Sequence, residues 1–287
     1  MTYPLLALAI ALCLAHNVLT RAAHLPGDMS SVLRFNVAVA LVVSVAALLL
    51  GGPIESPSLT TLLWGALYGL VSAANLISRL KALANGPMTA TLLIGGSSMV
   101  ISTVVGTALW HEPVSVDQTM GIALMLAAMA LSLRRGGDGT ATRRWPFWAL
   151  GLFFTNALIG LIFKAHQSTV WAGQSHLLVS VGFAASALLL TLANRLIWPA
   201  RAAQPDWRAW FIAALCGCTL CANNLLTTRL SGALPSVVFF PIYNGAVLVF
   251  SVPVSVTLFH ERIRCAQLAG MVLAVAAILF IGGVITL

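Results

Sequence analysis

The sequence predicts an all-α polytopic membrane protein with ten transmembrane helices, arranged as two inverted five-helix repeats. Three observations predict this fold class: an apolar composition, ten long apolar runs, and a pattern that recurs along the chain. Of 287 residues, 60% are hydrophobic and only 8% are charged. A soluble domain carries about 25% charged residues, because its surface must stay hydrated. The composition therefore excludes a soluble enzyme, a nucleic-acid-binding protein and a secreted disulfide-linked domain.

Ten apolar runs are long enough to cross a bilayer, for which a helix needs about 20 residues. The runs are continuously apolar rather than alternating, which favours helices over a membrane barrel. The gaps between them are too short to hold a further domain. The predicted spans are Pro4–Thr20, Leu33–Leu50, Leu59–Leu83, Pro87–Trp110, Val116–Leu133, Trp148–Ala165, Leu177–Ile197, Ala209–Thr228, Pro235–Phe259 and Cys265–Ile285.

Lysine and arginine divide unequally between the two sides of such a chain. Thirteen of the fifteen basic residues lie in or beside the gaps that follow odd-numbered spans, and only Lys164 and Arg229 belong to the other side. The positive-inside rule then places both termini outside the cytoplasm. The net charge of +8 is therefore interpreted as a marker of orientation rather than as a surface for a polyanion.

The longest connection, the basic loop 134–146, divides the chain into a first repeat, 1–133, and a second, 147–287. An odd number of spans in each repeat means that the second repeat enters the membrane from the opposite side. Inverted repeats of this kind build many secondary transporters.

The two halves share residues at a nearly constant offset. The pair His111–Glu112 reappears 149 positions later as His260–Glu261, and Asn75 reappears as Asn223 after 148 positions. Matches in separate spans at almost one offset are hard to obtain by chance among apolar residues. The recurrence therefore indicates an internal duplication.

The pattern E-x-[VI]-x-x-x-Q-x-x-G stands between the fourth and fifth spans of each repeat. It resembles the drug/metabolite transporter superfamily, in its ten-helix EamA-type branch. The resemblance implies transport and a substrate path lined by spans 1, 3, 4, 6, 8 and 9, with the fifth and tenth at the periphery. It also implies termini in the cytoplasm, opposite to the charge count. We interpret the motif residues themselves as structural. They are Glu112, Gln118, Gly121, Glu261, Gln267 and Gly270.

Polar side chains at helical spacing mark the candidate substrate path. We expect Asn75 and Asn223 to line or gate it, because a buried amide needs hydrogen-bond partners in hydrocarbon. His16 is either a proton site or a hydrogen-bonded structural histidine. The candidate substrate-binding residues are His16, Asn17, Trp64, Tyr68, Asn75, Arg79, Asn223, Asn224, Tyr243 and Asn244.

Four further residues are candidates for gating or for contact with an anion. Lys164 and Arg229 can hold a substrate carboxylate or phosphate at a cavity mouth, or can snorkel from a helix end. Pro241 and Pro253 remove backbone hydrogen bonds inside the ninth span, which predicts kinks there.

We interpret the chain as a secondary active exporter of small polar metabolites such as amino acids, in a bacterial inner membrane, and not as an enzyme. The expected partners are a small-molecule substrate and the lipid bilayer, with no cofactor, metal or nucleic acid. We expect a monomer, and coupling to an ion or a proton stays open. Efflux of drugs or quaternary ammonium compounds is the main alternative, although no acid lies near the middle of a predicted span. A lipid flippase and an integral-membrane enzyme are further alternatives.

Overall fold

The computed structural model describes residues 2–23, 28–51, 56–86, 88–133, 142–198, 207–259 and 265–281. Within these ranges every regular element is a helix, which confirms the predicted all-α class. The helices are α1 (Thr2–Ala22), α2 (Met29–Leu50), α3 (Leu59–Asn85), α4 (Met88–Ser97), α5 (Met99–Trp110), α6 (Val116–Leu133), α7 (Trp145–Gln167), α8 (Ser175–Ile197), α9 (Trp207–Ala233), α10 (Ser236–Phe259) and α11 (Cys265–Ile281), with a short 3₁₀ turn at Ala172–Gln174.

Six of the described helices, α1, α2, α3, α7, α8 and α9, are long and apolar enough to cross a membrane. These helices fit a polytopic membrane protein. Shorter apolar helices occupy the other predicted runs. The count of ten spans and the inversion of the two repeats remain predictions.

The fourth predicted run consists of two helices, α4 and α5, which meet at Ser98. Gly95 and Gly96 precede this break, and runs of glycine and serine are common sites of helix kinks. The amide of Ser98 bonds the carbonyl of Gly95, three residues earlier, at 3.4 Å. Bonds between residues three apart are typical of a 3₁₀ turn, whereas an α-helix bonds residues four apart. In contrast, α10 continues through both Pro241 and Pro253.

Side chains cap the starts of α2 and α6. The Asp28 carboxylate accepts a 2.8 Å hydrogen bond from the Ser31 amide at the start of α2. Before α6, the Ser115 amide donates to the Gln118 side chain at 3.0 Å, and the Gln118 amide donates to the Ser115 hydroxyl at 3.1 Å. This reciprocal pair is the capping box that the sequence predicts at this position.

The chain forms two compact units, and each combines helices from both sequence halves. The first unit comprises Met1–Ala73 and Ile162–Gly232, and the second comprises Ala74–Leu161 and Ala233–Leu287. In the first unit α2 packs along α8, and in the second α6 packs along α11. Each of these pairs joins a helix that precedes the loop 134–146 to one that follows it. The division of the chain into two repeats at this loop stays a prediction.

Glycine residues allow α3 and α8 to approach closely within the first unit. A Cβ atom at Gly69 would lie 2.5 Å from the Gly182 carbonyl oxygen and 2.6 Å from the Ala185 Cβ. A Cβ atom at Gly182 would overlap the ring of Tyr68. Small residues give this close backbone contact in membrane helices generally. Here they allow the ring of Tyr68, on α3, to pack against Gly182 of α8.

Candidate functional site

Tyr68 and Asn224 form a buried polar contact in the first compact unit. The Tyr68 side chain is only 3% exposed, and its hydroxyl donates a 2.8 Å hydrogen bond to Oδ1 of Asn224. Nδ2 of Asn224 donates in turn to the Leu220 carbonyl of its own helix at 2.8 Å. Both ends of this amide are therefore engaged, as burial requires.

Aromatic rings surround Tyr68 and hold it in place. Its ring centroid lies 4.9 Å from that of Phe163 and 5.6 Å from that of Phe183, both at tilted or edge-on angles. Such geometry is favourable for aromatic pairs. The sequence analysis does not identify Phe163 or Phe183, because a phenylalanine in an apolar run carries no signal that separates a site from the core.

The hydroxyl groups near Asn224 bond to their own helix. Thr227 donates to the Asn223 carbonyl at 2.9 Å, and Thr228 donates to the Asn224 carbonyl at 2.7 Å. Asn223 is buried beside them. Threonine hydroxyls in membrane helices commonly make this intrahelical bond. Both asparagines are predicted candidates, and Asn224 joins α9 to α3 through its bond with Tyr68.

α1 meets α9 through His16 and Thr20. Nδ1 of His16 lies 3.2 Å from the Cys216 carbonyl oxygen, and the Thr20 hydroxyl lies 3.7 Å from the Cys216 sulfur. Both alternatives for His16, a proton site and a hydrogen-bonded structural histidine, stay predictions. Asn17 is exposed and Trp64 is half-buried.

The second compact unit contains a chain of amides. Nδ2 of Asn75 on α3 donates to Oδ1 of Asn156 at 2.8 Å and to the Thr155 hydroxyl at 3.0 Å. Nδ2 of Asn156 donates at 3.2 Å to the Gly95 carbonyl beside the helix break. Asn75, a predicted site residue, thus bonds to Thr155 and Asn156, which the sequence analysis does not identify. Their only signal is that they form an isolated polar pair in an apolar run.

The remaining candidates of the second unit are Arg79, Tyr243 and Asn244. Arg79 is exposed. Tyr243 stacks on Phe239, with centroids 5.8 Å apart and 22° between the ring planes. Asn244 donates to the Phe240 carbonyl of its own helix at 2.8 Å, so this amide is engaged within α10.

The two exceptional cations differ in exposure. Lys164, near the end of α7, is only 6% exposed, whereas Arg229 is exposed. His166, two residues further on, is fully buried, and its Nε2 lies 3.2 Å from the Thr61 hydroxyl. This end of α7 therefore buries a lysine and a histidine close together in the sequence.

The motif residues make contacts at helix junctions and helix faces. The Glu112 carboxylate accepts a 2.6 Å hydrogen bond from the amide of Ser236, the first residue of α10. Gly121 and Gly270 are buried, and a Cβ atom at Gly121 would lie 2.5 Å from Ile281. Glu261 and the side chain of Gln267 lie outside the described residues. Among the described residues, no three His, Cys, Asp or Glu side chains come together as a metal site.

Comparison with known proteins supports the fold. No protein-family model and no curated protein matches this chain. Twenty-eight solved protein chains match its structure. One of them, described only as a crystal structure of a protein, has a TM-score of 0.76 at 14% identity, over 97% of this chain and 95% of that chain. Identity this low shows a shared fold alone.

Proposed function

We propose that the protein is a secondary active transporter that exports small polar metabolites, with amino acids as the favoured substrate class. It would belong to the EamA-type branch of the drug/metabolite transporter superfamily and act in a bacterial inner membrane. One observation carries the proposal: each compact unit places an amide-centred hydrogen-bonded pair in the interior of long apolar helices. These pairs are Tyr68 with Asn224 and Asn75 with Asn156. Polar groups at this depth are costly and usually functional.

The chemistry of these pairs suits a neutral or zwitterionic solute. Amides and hydroxyls both donate and accept hydrogen bonds, so a substrate can replace one protein partner without leaving a bare charge. Among the described residues the acidic side chains, Asp28, Glu112 and Asp117, lie at or beside helix ends rather than in helix interiors. This distribution gives little support to efflux of organic cations, which would be expected to use a buried carboxylate.

Transport would proceed by alternating access of two inverted repeats. Exchange of hydrogen bonds between amide partners and substrate would accompany the change of access. The gradient that drives the cycle would be an ion or a proton gradient. The aromatic environment of Tyr68 favours amino acids with a planar or apolar side chain within the proposed substrate class.

Flux measurements in proteoliposomes test the proposal. A panel of labelled amino acids, other small metabolites and quaternary ammonium ions is loaded, and release is followed against protein-free vesicles. We expect saturable release of at least one amino acid. Saturable release of the ammonium ions alone would establish the efflux alternative, and no saturable release of any compound would refute the proposal.

Variants then test the site. We expect Asn75→Ala and Asn224→Ala to lower flux at least tenfold, because each removes one amide of the two pairs. The matched control is Asn36→Ala, because within the described part of the chain the Asn36 amide bonds the Val32 carbonyl of its own helix, at 2.8 Å, and no other helix. If both site variants transport as well as the control, the assignment of these amides is wrong.

A further inference from the structure

A groove of about 420 Å³ lies on the first compact unit, between α2, α8 and the start of α9. Two arginines, Arg34 of α2 and Arg195 of α8, line it together with Asn194 and Trp210. None of the candidate substrate-binding residues lines the groove. Trp210 is separated from Asn224 by about 21 Å along α9, at 1.5 Å per residue.

Both arginines lie at the same end of the paired helices. Ser44, beyond the middle of α2, bonds Ser180 near the start of α8 at 3.2 Å. Arg34, near the start of α2, shares the groove with Arg195, near the end of α8. The two helices are therefore antiparallel, and each arginine lies within about six residues of a helix end. Basic side chains near the ends of membrane helices extend toward the interface with lipid headgroups.

The groove combines a cationic end with an apolar floor. Ala38 and Leu41 continue the lining along α2, and Leu41 is 52% exposed. Trp210 is 47% exposed, as is typical of the aromatic residues found at membrane interfaces. Basic pockets between membrane helices bind anionic lipid headgroups, and guanidinium groups pair with phosphate oxygens in two parallel hydrogen bonds.

Asn194 supplies a second, independent observation. Its Oδ1 atom is buried and has no hydrogen-bond partner in the described part of the chain. A buried acceptor left without a partner costs free energy. A rotation of the Asn194 side chain, which lines the groove, would expose this oxygen, so that an occupant with a hydroxyl group would remove the cost by donating to it. The carboxylate of Asp28 accepts a hydrogen bond from the Ser31 amide and also interacts with the charge of Arg34, so a bound phosphate shares Arg34 with this carboxylate.

We propose that the groove is a binding site for an anionic phospholipid of the phosphatidylglycerol type. The phosphodiester is held by Arg34 and Arg195, and a headgroup hydroxyl donates to Oδ1 of Asn194. An acyl chain follows Ala38 and Leu41 toward the hydrocarbon. This site is independent of the proposed transport function.

Native mass spectrometry of the full chain in detergent tests the site, with dioleoyl phosphatidylglycerol and dioleoyl phosphatidylcholine as probes. We expect the wild type to retain phosphatidylglycerol at least tenfold more strongly than phosphatidylcholine. The double variant R34Q/R195Q should lose this preference. The matched control is Arg208→Gln, because Arg208 is an exposed arginine at the same end of α9 that does not line the groove. Equal retention by R34Q/R195Q and the control would overturn the proposal.

A second variant keeps the test valid if the double variant does not fold. Ala38→Trp fills the groove while leaving both charges in place, and we expect it to lower phosphatidylglycerol binding at least tenfold. Unchanged binding to a folded Ala38→Trp protein would overturn the proposal.

Two further probes separate the source of the phosphate and the role of Asn194. Soluble glycerol 3-phosphate at equal concentration should not raise the thermal stability, and stabilisation equal to that by the lipid would contradict a lipid site.

Phosphatidylmethanol has the same charge without headgroup hydroxyls. The wild type should bind it several-fold more weakly than phosphatidylglycerol, and this difference should vanish in Asn194→Leu. Persistence of the full difference in that variant would contradict the assigned hydroxyl contact.

Discussion

The hydroxyl of Tyr68 and the Oδ1 atom of Asn224 lie 2.8 Å apart and join α3 to α9 inside the first compact unit. Since Asn224 also bonds its own helix through Nδ2, it contacts both helices at once. A substitution that removes the Tyr68 hydroxyl leaves Oδ1 of Asn224 buried without this donor. This contact therefore connects stability with the proposed transport site.

Replacing Tyr68 with phenylalanine should lower the free energy of unfolding by about 1–3 kcal/mol, because a buried acceptor loses its donor. The double variant Y68F/N224L should be more stable than the sum of the single losses predicts, with a coupling of about 1 kcal/mol. Unfolding in mixed micelles at increasing dodecyl sulfate measures all four proteins. Additive losses would show that the two side chains do not stabilise one another.

The amide chain of the second unit allows stability to be separated from transport. Asn156→Leu removes both the acceptor of Asn75 and the donor to the Gly95 carbonyl, so we expect a loss of about 1–2 kcal/mol and at least tenfold lower flux. The double variant N75L/N156L should recover part of the stability but none of the flux. If flux returns with stability, the two amides serve packing alone.

Glu112→Ala should destabilise the junction before α10 by about 1 kcal/mol, because the Ser236 amide loses a carboxylate acceptor at a helix N-terminus. Glu112→Gln retains an acceptor oxygen and should lose less than half as much. Thermal unfolding followed by light scattering compares the two variants. Equal losses would show that the charge rather than the hydrogen bond matters.

Gly69→Ala should be destabilising by about 1–3 kcal/mol, because its methyl group would press on the Gly182 carbonyl and on Ala185. The matched control is Gly173→Ala, since a Cβ atom there meets nothing within 4 Å among the described residues. Thermal unfolding of both variants measures the difference. A Gly69→Ala protein as stable as the control would contradict the close approach of α3 and α8.

The cap of α2 predicts a pH dependence. The hydrogen bond from the Ser31 amide holds the pKa of Asp28 below its ordinary value of 3.8. The charged form is therefore favoured in the folded state, and its contribution to stability is present above pH 3.8 and disappears as the pH falls through the lowered pKa. Asp28→Asn keeps a capping oxygen without the charge. The stability difference between the two proteins should shrink on acidification, and a difference independent of pH would contradict this assignment.

Hydropathy predicts where the helices lie but not which side chains meet. The apolar runs indicate the helix positions because a helix surrounded by lipid must be apolar along about 20 consecutive residues. The sequence predicts both Asn223 and Asn224 as site residues, but the partner of each depends on helix rotation, since adjacent positions differ by about 100°. Asn156 lacks a polar stripe around it, so spacing alone does not identify it. The break at Ser98 follows from local backbone bonding without any proline.

The hydrogen bond from Asn156 to the Gly95 carbonyl has a consequence for how this sequence can change over generations. Asn156 serves the backbone at the end of α4 and the side chain of Asn75 together, so replacing it alone leaves polar groups stranded on two other helices. A lineage that discards one of these amides would come under pressure to discard its partner and to restore a continuous helix through Ser98. We therefore expect these positions to vary together among descendants of this chain, as a single heritable unit drawn from three separate helices.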